Sequence, residues 1–134
     1  MITLDTSALL TAIDRTDPDH ERVLRALALA RGPYILPVSI LSEATSVIEG
    51  SLGGRMLVNF IRDLALGKFS LDCGVEDLDR VLALVSRYAD LPLGFADAAV
   101  IACAERNGGL VASLDYRHFG VVAGEGTIQI LPNS

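Results

Sequence analysis

The chain of 134 residues has no tryptophan, seven other aromatic residues, two cysteines and a single lysine. Each shortage excludes something. Cys73 and Cys103 lie far apart, form no Cys-x-x-Cys and sit with no histidine at zinc-binding spacing, so neither a disulfide framework nor a structural zinc site is expected. Both are read as buried, reduced thiols, because each lies in an apolar context. No apolar run approaches the ~18–20 residues that span a bilayer, and the N-terminus lacks the charged-then-apolar pattern of a signal peptide. A cytoplasmic protein is expected. Positive charge is also short: eleven basic residues, ten of them Arg, face seventeen acids, giving a net charge of −6. That excludes a broad basic footprint for nucleic acid, although bound divalent cations would neutralise acids locally and leave the global sum a weak guide.

Apolar residues are abundant, at 51% with a mean hydropathy of +0.44. One domain over residues 1–134 is expected from length, with either an Ala- and Leu-rich core or a surface that a partner covers. Repeats, low-complexity segments and linkers are not found.

The organising stretch is Ile2-Thr3-Leu4-Asp5-Thr6-Ser7: a short apolar strand that stops at a carboxylate and turns into the helical run Ala8 to Ile13. Open α/β folds place their ligands at the carboxyl ends of parallel strands. Along the chain, Asp17-Pro18 starts a second helix. Tyr34 to Leu36 reads as a strand, and Ile40 to Ile48 as a helix with Ser39 as its cap and Glu43 in its first turns. Met56 to Leu66 is helical and Phe69 to Asp72 a strand. Leu78, Val81, Leu82, Val85 and Tyr88 form a helical stripe. Phe95 to Asn107 is the most apolar helix, with Asp97 near its start. Leu110 to Leu114 is a strand ending at Asp115, Tyr116 to Gly126 a loop, and Thr127 to Leu131 a last strand. The alternation predicts an α/β fold with a parallel sheet between helices.

Asp5 and Asp115 therefore close strands on one sheet edge, where the helices carrying Glu43 and Asp97 also begin. Singly, each acid has an ordinary explanation as a helix cap or a partner of the macrodipole. Asp97, however, precedes Ala98-Ala99-Val100-Ile101-Ala102 on a largely buried helix, where a carboxylate is costly unless it opens onto a polar site. Four converging carboxylates would repel, and hard divalent cations such as Mg²⁺ resolve that repulsion.

These pieces carry a resemblance. Leu4-Asp5-Thr6-Ser7-Ala8, Leu41-Ser42-Glu43, Leu91 to Ala98 with Ala102-x-Ala104, and Ser113-Leu114-Asp115 with Phe119 resemble, in order and spacing, the PIN domain. They are most similar to the VapC-type toxins of bacterial toxin–antitoxin pairs, and the resemblance spans essentially the whole chain. It implies a three-layer α/β/α sandwich with strand order 3-2-1-4-5. It also implies an endoribonuclease dependent on Mg²⁺ or Mn²⁺, one or two ions, that hydrolyses phosphodiester bonds of RNA with a metal-activated water. Asp5, Glu43, Asp97 and Asp115 would be the catalytic quartet, with Asp5, Asp97 and Asp115 on the metal. Ser7 and Ser113 would supply supporting hydroxyls, position 113 being more often Thr in the family. The expected partners are RNA, a VapB-type antitoxin and a second copy in a homodimer, with no membrane. Arg117 is the expected phosphate contact; His20 and His118 are given no catalytic part, since the family motif has no histidine at 118. Two alternatives stay open: an RNA-processing PIN nuclease without a toxin role, and a non-catalytic PIN-fold binding module. A haloacid-dehalogenase-like phosphotransfer site is rejected, because it wants a second Asp where Ser7 stands and a well-placed lysine.

Overall fold

The computed structural model describes residues 1–133. Five strands, β1 (Ile2–Leu4), β2 (Tyr34–Pro37), β3 (Ser70–Asp72), β4 (Leu110–Ala112) and β5 (Gln129–Leu131), form one sheet. Its order is β3-β2-β1-β4-β5, and every pairing is parallel. The α/β class and the order 3-2-1-4-5 are both as expected. β1 is central: Thr3 is in register with Ile35 on one side and Val111 on the other. Ile2, Thr3 and Leu4 are buried, which fits a strand covered on both faces.

Helices α1 (Thr6–Ile13), α2 (His20–Ala30), α3 (Leu41–Val47) and α4 (Gly54–Ala65) fill the β1-to-β2 and β2-to-β3 connections. The chain then reverses direction across the sheet, through α5 (Leu78–Arg87) and α6 (Phe95–Arg106) to β4 and through α7 (Tyr116–Ala123) to β5. Right-handed crossovers put these two groups of helices on opposite faces. Helix α6 contacts β1, β2 and β4. Its Ala98, Ala102 and Ala104, together with Val100 and Ile101, are buried, so small side chains let it approach the sheet closely. Leu4, Leu9, Leu36, Val111 and Phe119 complete the core around β1.

Several expectations need correction. Residues 116–126 are not simply a loop: α7 forms there, because Asp115 caps its first turn and Phe119 and Val122 anchor it in the core. Gly120 and Gly124 lower the helix propensity that a sequence reading weighs. Ser39 caps nothing. It lies in a 3₁₀ turn (Val38–Ile40) ahead of α3, and its buried Oγ finds no partner among the described residues. The α2 helix begins at His20, after a turn in which the Asp17 carboxylate accepts the Asp19 N–H at 2.8 Å. On α5 the buried side includes Leu84, while Leu78 and Leu82 are more than half exposed. Cys103 is buried as expected, and burial pushes its thiol up to about 11. Cys73 is exposed, because it follows an edge strand in a turn that leads into Gly74.

Candidate functional site

The four acids arrive at the carboxyl edge of the sheet by separate routes. Asp5 follows β1 directly and is 7% exposed. It occupies the N-cap position of α1 but makes no side-chain capping bond. Instead, the Ser113 hydroxyl donates to its Oδ2 at 2.9 Å and the Ser7 hydroxyl donates to the same oxygen at 3.0 Å. Each hydroxyl has only one proton to give. Both then act as acceptors, Ser113 Oγ from the Asp115 N–H and Ser7 Oγ from the Leu114 N–H, each at 3.0 Å. This knot clamps the segment after β4 onto the segment after β1. Ser7 and Ser113 thus lie beside the acids, both bonded to the Asp5 carboxylate and Ser113 also to the Asp115 backbone N–H.

Asp97 lies in the first turn of α6 and is half-buried. Asp115 caps α7, accepting the His118 N–H at 3.1 Å on Oδ1. Its capping role and its place in the crevice coexist. Glu43 lies in the first turn of α3 and is exposed, and its charge acts on Asp97. Arg117 is exposed in the first turn of α7.

The charges of the acids act on one another. Burial raises the Asp5 carboxyl above its ordinary value, against the Ser113, Ser7 and Thr6 donors, and the Asp115 charge adds to the rise. Asp97 is raised first by burial and then by the charges of Asp5 and Asp115. Among the described residues, no arginine or lysine pairs with any of the four. The site is therefore a partly buried acidic cluster whose nearest basic group among the described residues is the His118 imidazole, beside Asp115.

The tightest grouping includes a residue that the sequence reading set aside. Ligand atoms of Asp97, Asp115 and His118 all lie within 4.8 Å of one another. His118 Nδ1 is 3.0 Å from Asp115 Oδ2. The signal was the spacing: residues three apart share a helix face, but only once α7 is recognised as a helix. Asp5 and Glu43 stand outside this closest group. Two carboxylates and an imidazole in reach of one another are a suitable donor set for a divalent cation, and the unbalanced negative charge around them favours one. The other histidine, His20, turns away: its Nδ1 is 2.8 Å from the Thr11 carbonyl.

A parallel five-stranded sheet with acids gathered at its carboxyl edge defines the chain as an open α/β protein of the class that gathers polar groups at that edge, and comparison with known families says which one. The PIN domain model matches residues 2–125, and the chain belongs to the PIN-domain family. It is similar to ribonuclease VapC26 of Mycobacterium tuberculosis (strain ATCC 25618 / H37Rv), with 29% identity over 96% of this chain and 98% of that protein. Among solved structures it resembles M. tuberculosis VapC20, described as a toxin that cleaves the sarcin–ricin loop. The TM-score is 0.74 at 18% identity, over 90% of this chain and 95% of that one. It also resembles DNA-bound VapBC of Salmonella typhimurium, with a TM-score of 0.70 at 18% identity, over 96% and 95% of the two chains. FitAcB of Neisseria gonorrhoeae gives a TM-score of 0.64 at 20% identity, over 97% and 96%. At these identities the solved structures speak for the fold.

Proposed function

We propose that this chain is a divalent-metal-dependent endoribonuclease and the toxin of a toxin–antitoxin pair. The observation that carries the reading is the convergence of Asp5, Asp97 and Asp115: the Ser113 hydroxyl bridges Asp5 to the Asp115 backbone, Asp97 and Asp115 reach one small volume, and no arginine or lysine among the described residues pairs with them. Likeness to a curated VapC ribonuclease along nearly the full length of both chains supports the toxin assignment.

Asp97 and Asp115, with Asp5 behind them, would hold Mg²⁺ or Mn²⁺. A divalent cation there supplies Lewis acidity and lowers the pKa of water so that it can serve as a nucleophile near neutral pH. The chain's own residues do the rest. Ser7 and Ser113 fix the Asp5 carboxylate in one orientation, so the acid cluster is organised before substrate arrives. Glu43, on the exposed rim, orients the attacking water. Arg117, exposed two residues after Asp115 in the first turn of α7, would contact a neighbouring phosphate of the RNA. Hydrolysis adds water at phosphorus and breaks one P–O ester bond of the strand.

Two partners follow from the same reading: a VapB-type antitoxin and a second copy of the chain. Exposed Leu71, Val75, Leu78, Leu82 and Phe95 supply apolar surface for such contacts. Val75, Leu78 and Phe95 also line a cavity of about 230 Å³ beside β3. Among the described residues no helix is long and apolar enough to cross a membrane, and the proposed place of action is the cytoplasm.

Induced expression in a bacterial host tests the toxin role. Growth arrest by the native chain, absent with Asp97→Asn and reversed by co-expression of a VapB-type antitoxin, is the expected result. Equal growth with the native chain and the Asp97 variant would remove the toxin role and leave an RNA-processing nuclease or a binding module.

A further inference from the structure

We infer that His118 is a nitrogen donor to the cation in the acidic crevice and tilts its preference from Mg²⁺ toward Mn²⁺ and the later divalent ions. The inference rests on reading the crevice as a metal site.

The geometry comes from α7. Asp115 and His118 are one turn apart on this helix, and the Asp115 cap fixes where its first turn begins. Phe119, fully buried, pins the next residue in the core. The half-buried imidazole is thus delivered into the crevice by a rigid element rather than by a mobile loop. Its Nδ1 lies 3.0 Å and 3.2 Å from the two Asp115 oxygens, and Asp97 reaches the same small volume. Adjacent ligands on an octahedral ion with bonds of ~2.1 Å are separated by roughly 3.0 Å, the bond length multiplied by √2. The Nδ1 to Oδ2 separation has that length, so the pair can grip an ion with little rearrangement. It is also the length of a hydrogen bond, and the experiment has to separate the two.

The donor chemistry sets the consequence. Carboxylate oxygens suit Mg²⁺, Ca²⁺ and Mn²⁺, whereas an imidazole nitrogen favours ions further along the transition series. A set of two carboxylates and one imidazole therefore discriminates against Mg²⁺ more than carboxylates alone. Position 118 thus sets which cation the crevice takes.

Pulsed electron paramagnetic resonance on tag-free protein loaded with one equivalent of Mn²⁺ reads the bond directly. The native protein should show the ¹⁴N coupling of a directly bound imidazole, and ¹⁵N-histidine labelling should replace it without any substitution. With only two histidines in the chain, assignment needs two variants. The coupling should vanish in His118→Gln and persist in His20→Gln. Titration calorimetry should show Mn²⁺ affinity falling about tenfold in His118→Gln, with Mg²⁺ affinity changing less. Stoichiometric Mn²⁺ binding by the labelled and unlabelled native protein with no histidine coupling would overturn the inference. It would leave a carboxylate metal site in which His118 only hydrogen-bonds to Asp115. Absence of Mn²⁺ binding in the folded native protein would overturn it together with the metal reading beneath it.

Discussion

Replacing Ser113 with alanine should weaken both the fold and the site, because its hydroxyl serves two groups in a fully buried position. It donates to Asp5 Oδ2 and accepts the Asp115 N–H. A hydrogen bond to a charged group contributes ~1.5–3 kcal/mol, and an orphaned N–H costs ~1–3 kcal/mol, nearer the lower figure where water reaches it. Asp115 is only half-buried, and Asp5 keeps its Ser7 and Thr6 donors. A loss of about 2–3 kcal/mol is therefore expected near pH 7. Per-residue unfolding entropies convert that to a fall in Tm of about 7–11 °C for a chain of this length. The effect should depend on pH. Burial already raises the Asp5 carboxyl, so the folded state holds its proton more tightly than the unfolded chain does. The resulting contribution is complete below the ordinary carboxylate value of 3.8 and is lost as pH rises through the raised one. Removing a donor to the carboxylate raises that value further. The penalty should be largest near neutral pH and shrink toward pH ~4, where a protonated Asp5 no longer needs the hydroxyl as a donor. Urea unfolding of metal-free protein in chelator, across this range, provides the measurement. Ser113→Thr, which keeps the hydroxyl, should retain most of the hydrogen-bonding contribution. A penalty independent of pH, or one equal in the Ala and Thr variants, would refute the assigned role.

Other substitutions should separate function from stability. Asp97→Asn should lower RNA cleavage by at least ~10²-fold, with an unchanged circular dichroism spectrum. It should also raise the Tm of the metal-free protein near neutral pH, because it removes a carboxylate that burial and its neighbours hold unfavourably charged. Arg106→Met should destabilise by about 2–4 kcal/mol, since Arg106 bonds to the buried Asp77 at 2.8 and 2.9 Å and to Asp72 at 2.5 Å. Arg106 holds the Asp72 carboxyl below its ordinary value, so that part of its contribution exists at neutral pH and is lost as pH falls through the lowered value. Acid titration of stability should accordingly be flatter in the Met variant. Chelation should abolish cleavage, while saturation with Mn²⁺ at a hundred times its Kd should stabilise the fold by ~2.7 kcal/mol, read as a rise in Tm.

The sheet was legible because parallel strands covered on both faces are short apolar runs, and β1 and β4 each run toward an acid. Its order came from family resemblance rather than from periodicity. Asp5, Asp97 and Asp115 could be placed because strand ends and helix starts meet at one edge. Less of the site's local detail could be read. Helix α7 is anchored by Phe119 and Val122 against the sheet, a tertiary effect that two glycines concealed. Without that helix, the one-turn relation of His118 to Asp115 has no meaning. The α5 stripe misled in a similar way. Leu78 and Leu82 fit the helical period as well as Leu84 does, and only the position of α6 against α5 decides which is covered. The exposure of Cys73 follows from β3 being an edge strand, which its apolar sequence context does not reveal.

The most direct test is cleavage of a mixed single-stranded RNA pool by the purified, antitoxin-free chain. The reactions contain Mg²⁺, Mn²⁺ or chelator, beside Asp5→Ala. The account predicts cleavage with either metal, none in chelator and none by the folded variant. RNA cut equally well in chelator, or by Asp5→Ala at the native rate, would contradict it.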